Sequence, residues 1–276
     1  MTPVRTPLCL ALGLLALLAV ALPAGPAKAA DLPVDVELVL AVDVSRSMDA
    51  GERAIQRQGY RDALRHPDVV RAIRSGLYGR IALTYFEWSG PGAEHVIVPW
   101  SLMEDEESAE AVADSIVPSQ VSGRFGTSIS SSLLFGASLF VDNGFAGERQ
   151  VIDVSGDGPN NVGEPVVPAR EAVLARGIVI NGLPIVLRPG SFSSFDIPDL
   201  DGYYRDCVVG GPGAFTIPVT SPDQFETAIR RKLIQEIAAP RARPSTPLLI
   251  RVASSGAPGG ADCLIGEARR HDWMSR

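Results

Sequence analysis

The sequence predicts an α/β domain with a doubly wound, mostly parallel central sheet, one antiparallel edge strand and helices on both faces. Three features predict it. Strand-like apolar runs alternate with stretches of helical spacing, which is typical of doubly wound sheets. The first run, 36–42, is almost continuously apolar, as in a strand that is buried on both faces. The link Ser-Gly-Pro-Gly at 89–92 is too short to join parallel strands, so its two flanking strands must be antiparallel.

The predicted elements follow one another through residues 34–239, which we assign to one domain. Strands are predicted over 36–42, 79–88, 94–100, 150–154, 178–187 and 214–220, and helices over 50–74, 106–116, 128–141, 165–175 and 221–238. Pro67 divides the first helical stretch, because a proline removes a backbone donor. Ser221 begins the last helix as its cap, followed by a proline at the first helical position. Residues 188–213 are expected to form a long surface insertion. Residues 240–276 show no comparable pattern and are expected to form a partly disordered tail.

Residues 1–29 have the pattern of a cleavable signal peptide. Arg5 supplies positive charge, residues 8–22 form an apolar segment, and residues 27–29 (Ala-Lys-Ala) match the small-x-small pattern of a cleavage site. An uncleaved membrane anchor is the alternative, and the helix-breaking prolines and glycine within 23–26 argue against it. We therefore expect a periplasmic or secreted protein with no membrane span in its mature form.

The chain is acidic, with a formal charge of -7. Cleavage after residue 29 would remove Arg5 and Lys28 and no acidic residue, which gives a charge of -9. This charge argues against nucleic acid and anionic membrane surfaces as partners, and it suits a protein that carries cations. Cleavage would also leave two cysteines, Cys207 and Cys263. They could form one disulfide in an oxidising compartment, although the sequence alone leaves their pairing open.

Polar side chains follow the first predicted strand at alternate positions. Asp43, Ser45 and Ser47 lie where ligands bind in such sheets, beyond the carboxyl ends of the strands. Two other loops carry candidates: Thr127 lies at a predicted helix start, and Asp157 follows the strand 150–154. Carboxylate and hydroxyl oxygens together suit Mg²⁺, Mn²⁺ or Ca²⁺ rather than Zn²⁺. The pattern therefore predicts a site for a hard divalent cation.

This combination of D-x-S-x-S, a later glycine-threonine and a later aspartate-glycine resembles the metal-ion-dependent adhesion site of von Willebrand factor A-type domains. The similarity covers roughly residues 35–239. The stretches AVDVSRSM, VIDVSGDGPNN, INGLPI and GGPGAF further resemble an uncharacterised family of exported bacterial proteins, which supplies no activity.

The resemblance implies a role for each candidate. Ser45, Ser47 and Thr127 would coordinate the cation, with Mg²⁺ expected first and Mn²⁺ or Ca²⁺ as alternatives. Asp43 and Asp157 would mostly hold coordinating waters. One coordination position would stay open for an Asp or Glu of a protein partner, attracted by the residual positive charge. The resemblance thus implies binding rather than turnover.

Asp153 departs from the common pattern of these domains, because it occupies a strand position that is usually apolar. We expect it to orient Ser45 or a bound water. A second interpretation of the site is a metal-assisted hydrolase, which needs a general base near the open position, with Asp153 or Glu87 as candidates. Catalysis by a serine and a histidine is disfavoured, since there is no G-x-S-x-G motif and none of the three histidines follows a predicted strand.

Simpler interpretations are also open. Asp43 and Ser45 could cap the following helix, because Asp and Ser are common at helix N-termini. Residues 155–158 could be only a turn, for which Gly and Asp are suited. The domain would then be a structural scaffold that binds no metal.

Overall fold

We describe the protein from a computed structural model. The structure describes residues 30–117, 126–187, 196–239 and 260–276. The expected signal peptide and most of the loop before Thr127 lie outside these ranges, as does the first part of the predicted insertion.

The elements are β1 (Leu32–Val34), β2 (Glu37–Asp43), α1 (Ala50–Arg65), α2 (Pro67–Arg74), β3 (Ile81–Trp88), β4 (His95–Met103), α3 (Glu106–Ser115), α4 (Ile129–Ser138), β5 (Phe145–Gly147), β6 (Gln150–Gly156), α5 (Val166–Leu174), β7 (Val179–Pro184), α6 (Leu200–Tyr203), α7 (Phe225–Ala238) and α8 (Ile265–Met274). A π-helical turn, Tyr204–Val208, continues α6, and a 3₁₀ turn, Pro222–Gln224, precedes α7.

Five strands form the central sheet in the order β4-β3-β2-β6-β7. The pairs β2–β3, β2–β6 and β6–β7 are parallel, and β3–β4 is antiparallel at the edge. This confirms the predicted fold class. The strands β3 and β4 lie on one side of β2, and the later strands β6 and β7 lie on the other. The strand order therefore reverses between β2 and β6, and the carboxyl ends of these two strands form the crevice where α/β sheets bind ligands.

The core consists of two apolar layers, one on each face of the sheet. Residues 38 and 40 of β2 face a layer built with α1, α2, α3 and α7. Residues 39 and 41 face a second layer built with α4, α5, α6 and the π turn. All the residues of β2 are buried, which explains why residues 38–42 between its terminal acids are continuously apolar rather than alternating. Helices thus cover both faces, as predicted.

The end of the predicted insertion is core rather than surface. Tyr203, Tyr204 and Cys207 in α6 and the π turn are fully buried in the second apolar layer. The predicted strand 214–220 is likewise wrong, since it forms only isolated bridges, Thr216 with Gly182 and Val219 with Ile185. Pro218 lies between these bridges and has no N–H for a continuous ladder.

Two further features were not predicted. β1 and β5 form a small parallel sheet of their own, and strands of three residues are too short to show a periodicity. The helix α8 lies within the predicted tail, residues 240–276, where the sequence showed no comparable helical pattern. The structure also settles the pairing of Cys207 with Cys263, which form a disulfide with a Cα–Cα distance of 5.4 Å. No helix among the described ranges is long and apolar enough to cross a membrane.

Candidate metal centre

Side chains from three separate loops meet beyond the carboxyl ends of β2 and β6. The Oγ atoms of Ser45 and Ser47 lie 2.8 Å apart, and Ser47 Oγ donates a 2.7 Å hydrogen bond to Asp157 Oδ1. Thr127 Oγ1 lies 3.5 Å from Ser45 Oγ. Ser45 and Thr127 are buried, whereas Ser47 is exposed, so the cluster opens to solvent on one side. The structure therefore brings together the hydroxyls that the sequence pattern selected.

Asp43 lies at the buried base of this cluster. Its Oδ1 accepts a 2.7 Å hydrogen bond from the backbone N–H of Ser45, which shapes the start of the loop. Its Oδ2 has no hydrogen-bond partner among the described residues, although the side chain is fully buried. A buried carboxylate oxygen without a donor is costly and calls for an ion or a water. The donor set of one such oxygen beside three hydroxyls fits a hard divalent cation.

The loop after β2 is fixed without any cap from Asp43 or Ser45. Helix α1 is capped by Asp49, whose side chain accepts from the N–H of Glu52 at 2.8 Å in a reciprocal capping box. Gln56 of α1 donates to the backbone carbonyl of Asp43 at 2.9 Å. The capping interpretation of the opening motif is therefore wrong, since the helix has its own cap two residues after Ser47.

Thr127 is held by a pair of hydrogen bonds to the loop that follows β6. Its backbone N–H donates to Asn161 Oδ1, and its carbonyl accepts from the N–H of Asn161, both at 2.9 Å. Ser128 then caps α4 by accepting from the N–H of Ser131. The loops of Thr127 and Asp157 are thus joined to each other by backbone and side-chain hydrogen bonds.

Gly156 ends β6 beside the buried carboxylate. A Cβ at this position would lie 2.9 Å from Asp43 Oδ2 and 2.7 Å from the hydroxyl of Tyr204. Like Asp43 Oδ2, the Tyr204 hydroxyl has no hydrogen-bond partner among the described residues. Two unpartnered buried oxygens therefore face the same small space, and only glycine leaves that space open.

Two carboxylates in this cluster have raised pKa values. Burial, with the charge of Asp157, raises the pKa of Asp43 well above its usual value. Burial raises the pKa of Asp157 to about 6, against the hydrogen bond from Ser47, which lowers it. Both shifts express mainly the cost of bringing negative charge out of water.

No cluster of three or more His, Cys, Asp or Glu side chains that could hold a metal occurs among the described residues.

Asp153 has a different role from the one predicted. Its Oδ1 lies 2.6 Å from Lys232 Nζ of α7, and the same ammonium lies 2.5 Å from Glu236 Oε1. All three side chains are almost fully buried. The partner of Asp153 is therefore a lysine in the core rather than Ser45.

Glu87, the other candidate base, is also paired. Arg57 donates to both of its carboxylate oxygens, with Nε–Oε1 at 2.5 Å and Nη2–Oε2 at 2.9 Å. Glu87 and Asp153 thus each contact a basic side chain, and neither was found at the hydroxyl cluster. No observation favours the hydrolase interpretation.

Sequence reasoning missed Gly156, Asn160, Asn161 and Tyr204 as parts of the site. The two asparagines stand in the quoted stretch VIDVSGDGPNN, directly after the glycine-rich turn. Asparagine is frequent where a side-chain amide holds a nearby backbone, and this could have marked them. Tyr204 carried no usable signal, because it lies in a segment whose composition is that of a loop.

Comparison with known proteins gives a family but no activity. A model of the family described as "Protein of unknown function (DUF1194)" matches residues 33–241. No curated protein is significantly similar to this chain.

Several solved structures share the fold. The proximal thread matrix protein 1 of the mussel byssus is 14% identical, with a TM-score of 0.53 over 75% of this chain and 49% of that one. The pilus adhesin SpaC of Lactobacillus rhamnosus GG is 13% identical, with a TM-score of 0.54 over 76% and 31%. A form of the byssal protein with a zinc-occupied MIDAS motif is 14% identical, with a TM-score of 0.50 over 75% and 49%. This chain spans half or less of each of those chains. The chain thus shares its fold with these proteins, one of which carries a MIDAS motif, in agreement with the sequence resemblance to von Willebrand factor A-type domains.

Proposed function

This chain belongs to the DUF1194 family of proteins of unknown function, and we propose that it is an exported module that binds a protein partner through a divalent cation. The observation that carries the proposal is the unpartnered, fully buried Asp43 Oδ2 at the base of the loop whose Ser45 and Ser47 hydroxyls meet that of Thr127. A cation would satisfy that oxygen and relieve the charge that Asp43 and Asp157 place together.

The hydroxyls and the carboxylates of the cluster would have different roles in binding the cation. Ser45, Ser47 and Thr127 would contribute neutral hydroxyl oxygens, and Asp43 and Asp157 would hold water at the ion. Among the described residues, Asp43 and Asp157 are the carboxylates of this cluster, and a divalent ion held mainly by neutral hydroxyls would keep positive character toward the exposed side, next to Ser47. An Asp or Glu of a partner is the ligand that this field favours. All of these donors are hard oxygens, which suits Mg²⁺ first and Mn²⁺ or Ca²⁺ next.

Two of the solved structures with this fold support a protein partner, because one is a pilus adhesin and the other a byssal matrix protein. The structure with a zinc-occupied MIDAS motif supports a divalent ion. Export is supported by the signal-like residues 1–29 and by the Cys207–Cys263 disulfide, since disulfides persist in oxidising compartments. The acidic charge supports the absence of nucleic acid as a partner.

The experiment uses Mn²⁺ as a paramagnetic probe of the open position. Chelator-treated protein is titrated with Mn²⁺, and the relaxation of water protons is followed as an acidic peptide is added. A matched peptide with Gln and Asn in place of Glu and Asp is the control. We expect the acidic peptide, and not its amide counterpart, to displace exchanging water from the bound Mn²⁺. No uptake of Mn²⁺ would refute the metal, and equal effects of the two peptides would refute the partner carboxylate.

A further inference from the structure

Helix α8 packs against the loop that carries Asp157, although it lies beyond the residues that the family model matches. Gly266 of α8 touches this loop directly, because a Cβ there would overlap the carbonyl oxygen of Asn160. The neighbouring Glu267 accepts a 2.7 Å hydrogen bond from Asn160 Nδ2. The backbone of α8 at Gly266 and the side chain of Glu267 therefore both contact Asn160, a buried residue of this loop.

Asn160 contacts three helices around the site, α8, α4 and α6. Besides Glu267, its side chain binds the first turn of α4, where the N–H of Ser130 donates to Asn160 Oδ1 at 3.0 Å. Its backbone N–H donates to the hydroxyl of Tyr203 at 3.1 Å. Asn160 is fully buried, and the next residue, Asn161, makes the paired hydrogen bonds to Thr127. A change in the orientation of Asn160 should therefore shift the loops that carry Thr127 and Asp157.

The disulfide is the strongest connection between α8 and the domain. Cys263 lies two residues before α8, and its partner Cys207 lies in the π turn, three residues after Tyr204. The backbone N–H of Ala261 also donates to Asp206 at 2.9 Å, and Arg269 donates to the carbonyl of Asp196. Gly266 is the single buried residue of α8 itself, and its apolar contact with the second layer comes from the partly buried Ile265. A helix of ten residues is marginal in water on its own.

We infer that α8 is a support of the metal site that is tethered by the Cys207–Cys263 disulfide, and that Asn160 is the positioning residue through which it acts. The inference rests on the proposed function, because it concerns the affinity of that site. Outer groups that orient metal ligands typically change affinity by about 10–100-fold when they are removed. Opening the disulfide should therefore weaken Mn²⁺ binding by about tenfold or more, although neither cysteine touches the site.

The test compares Mn²⁺ affinity in the full mature chain and its variants. C207A/C263A removes the tether. E267A removes the shorter of the two hydrogen bonds that Asn160 Nδ2 donates, the other being to the carbonyl of Glu164 at 3.0 Å. E267Q keeps an acceptor oxygen, so it should restore the affinity that E267A loses. D272A is the matched control, because Asp272 is an exposed acidic residue of the same helix. The electron paramagnetic resonance spectrum of bound Mn²⁺ should broaden or shift in C207A/C263A and E267A and stay unchanged in E267Q and D272A.

The outcomes separate the two claims. If wild type binds no Mn²⁺, the proposed function fails and takes the inference with it. If wild type binds Mn²⁺ and both C207A/C263A and E267A bind equally tightly, only the inference is overturned. Urea unfolding without metal shows whether each variant is folded. Should C207A/C263A not fold, the comparison of E267A with E267Q decides, because both keep the disulfide.

Discussion

Replacing Gly156 by alanine should damage the metal site without removing any of its donors. The new Cβ would lie 2.9 Å from Asp43 Oδ2 and 2.7 Å from the Tyr204 hydroxyl. Ordinary contacts begin at about 3.4 Å, so each oxygen must move by a few tenths of an ångström or more. Metal sites tolerate about 0.2 Å in their ligand distances. We therefore expect G156A to lower Mn²⁺ affinity by about 10–100-fold, which is roughly 1.4–2.8 kcal/mol.

Isothermal titration of Mn²⁺ into chelator-treated protein measures this effect. The matched control is G158A in the same loop, because a Cβ on Gly158 would meet no atom within 4 Å among the described residues. G158A should bind Mn²⁺ like wild type. Equal affinities for G156A and wild type would refute the argument, since the space beside Asp43 Oδ2 would then be irrelevant to the ion.

Further predictions concern stability and the loop contacts. Replacing Lys232 by methionine leaves Asp153 and Glu236 buried without their cation, so K232M should lower the free energy of unfolding by about 3–5 kcal/mol in urea titrations. Burial, with the charge of Glu236, raises the pKa of Asp153 from 3.8 to about 7 despite Lys232. Because the folded-state pKa is raised, the contribution of this carboxyl to stability is fully present below about pH 4 and is lost as the pH rises toward 7. D153N should therefore lose less stability than wild type between about pH 4 and pH 7. An equal loss for the two proteins, measured by urea titration at these two pH values, would contradict this. N161A leaves the buried N–H of Thr127 without its acceptor, so we expect about 1–3 kcal/mol of lost stability and weaker Mn²⁺ binding. An unchanged unfolding midpoint for N161A would contradict the role of that hydrogen bond. Mn²⁺ at 100 times its dissociation constant should raise the melting temperature by roughly 5–11 °C, and a chelator should reverse the rise in calorimetric scans.

The position of the candidate site could be predicted because it follows from local patterns and one topological rule. A continuous apolar run predicts a central parallel strand, and such a strand places the polar residues that follow it at the ligand-binding edge. Asp43, Ser45 and Ser47 needed no further information. Thr127 and Asp157 could be added because each stands at a junction between elements of the same sheet.

Asp153 could not be assigned from the sequence, because its partner is distant along the chain. Lys232 lies in a helix whose pattern gives no sign that a lysine points into the core, and lysines are almost never fully buried without a charged partner. Only the folded chain, in which side chains of α7 reach Asp153 of β6 and Asn181 of β7, brings the ammonium to the carboxylate. The general preference for apolar residues on β6 was a correct signal that Asp153 needed a partner, but it did not identify one.

The role of α8 was missed for a related reason. Its ten residues include charged side chains around most of the helix and bury only Gly266, so they show no apolar stripe. The helix is held by a disulfide, by contacts with Asn160 and by the partly buried Ile265, and such a set of contacts leaves no periodic pattern in the sequence. Composition also concealed Tyr203 and Tyr204, because glycine, serine and proline dominate the segment around them.

Calorimetric titration of wild type and of S45A/S47A with Mg²⁺, Mn²⁺ and Ca²⁺ tests the central claim most directly. Both hydroxyls belong to the cluster, and their removal leaves the carboxylates in place. We predict saturable binding of at least one of these ions at one site in wild type, and its loss in S45A/S47A. The absence of binding to wild type, or undiminished binding to S45A/S47A, would contradict a cation held by these three loops.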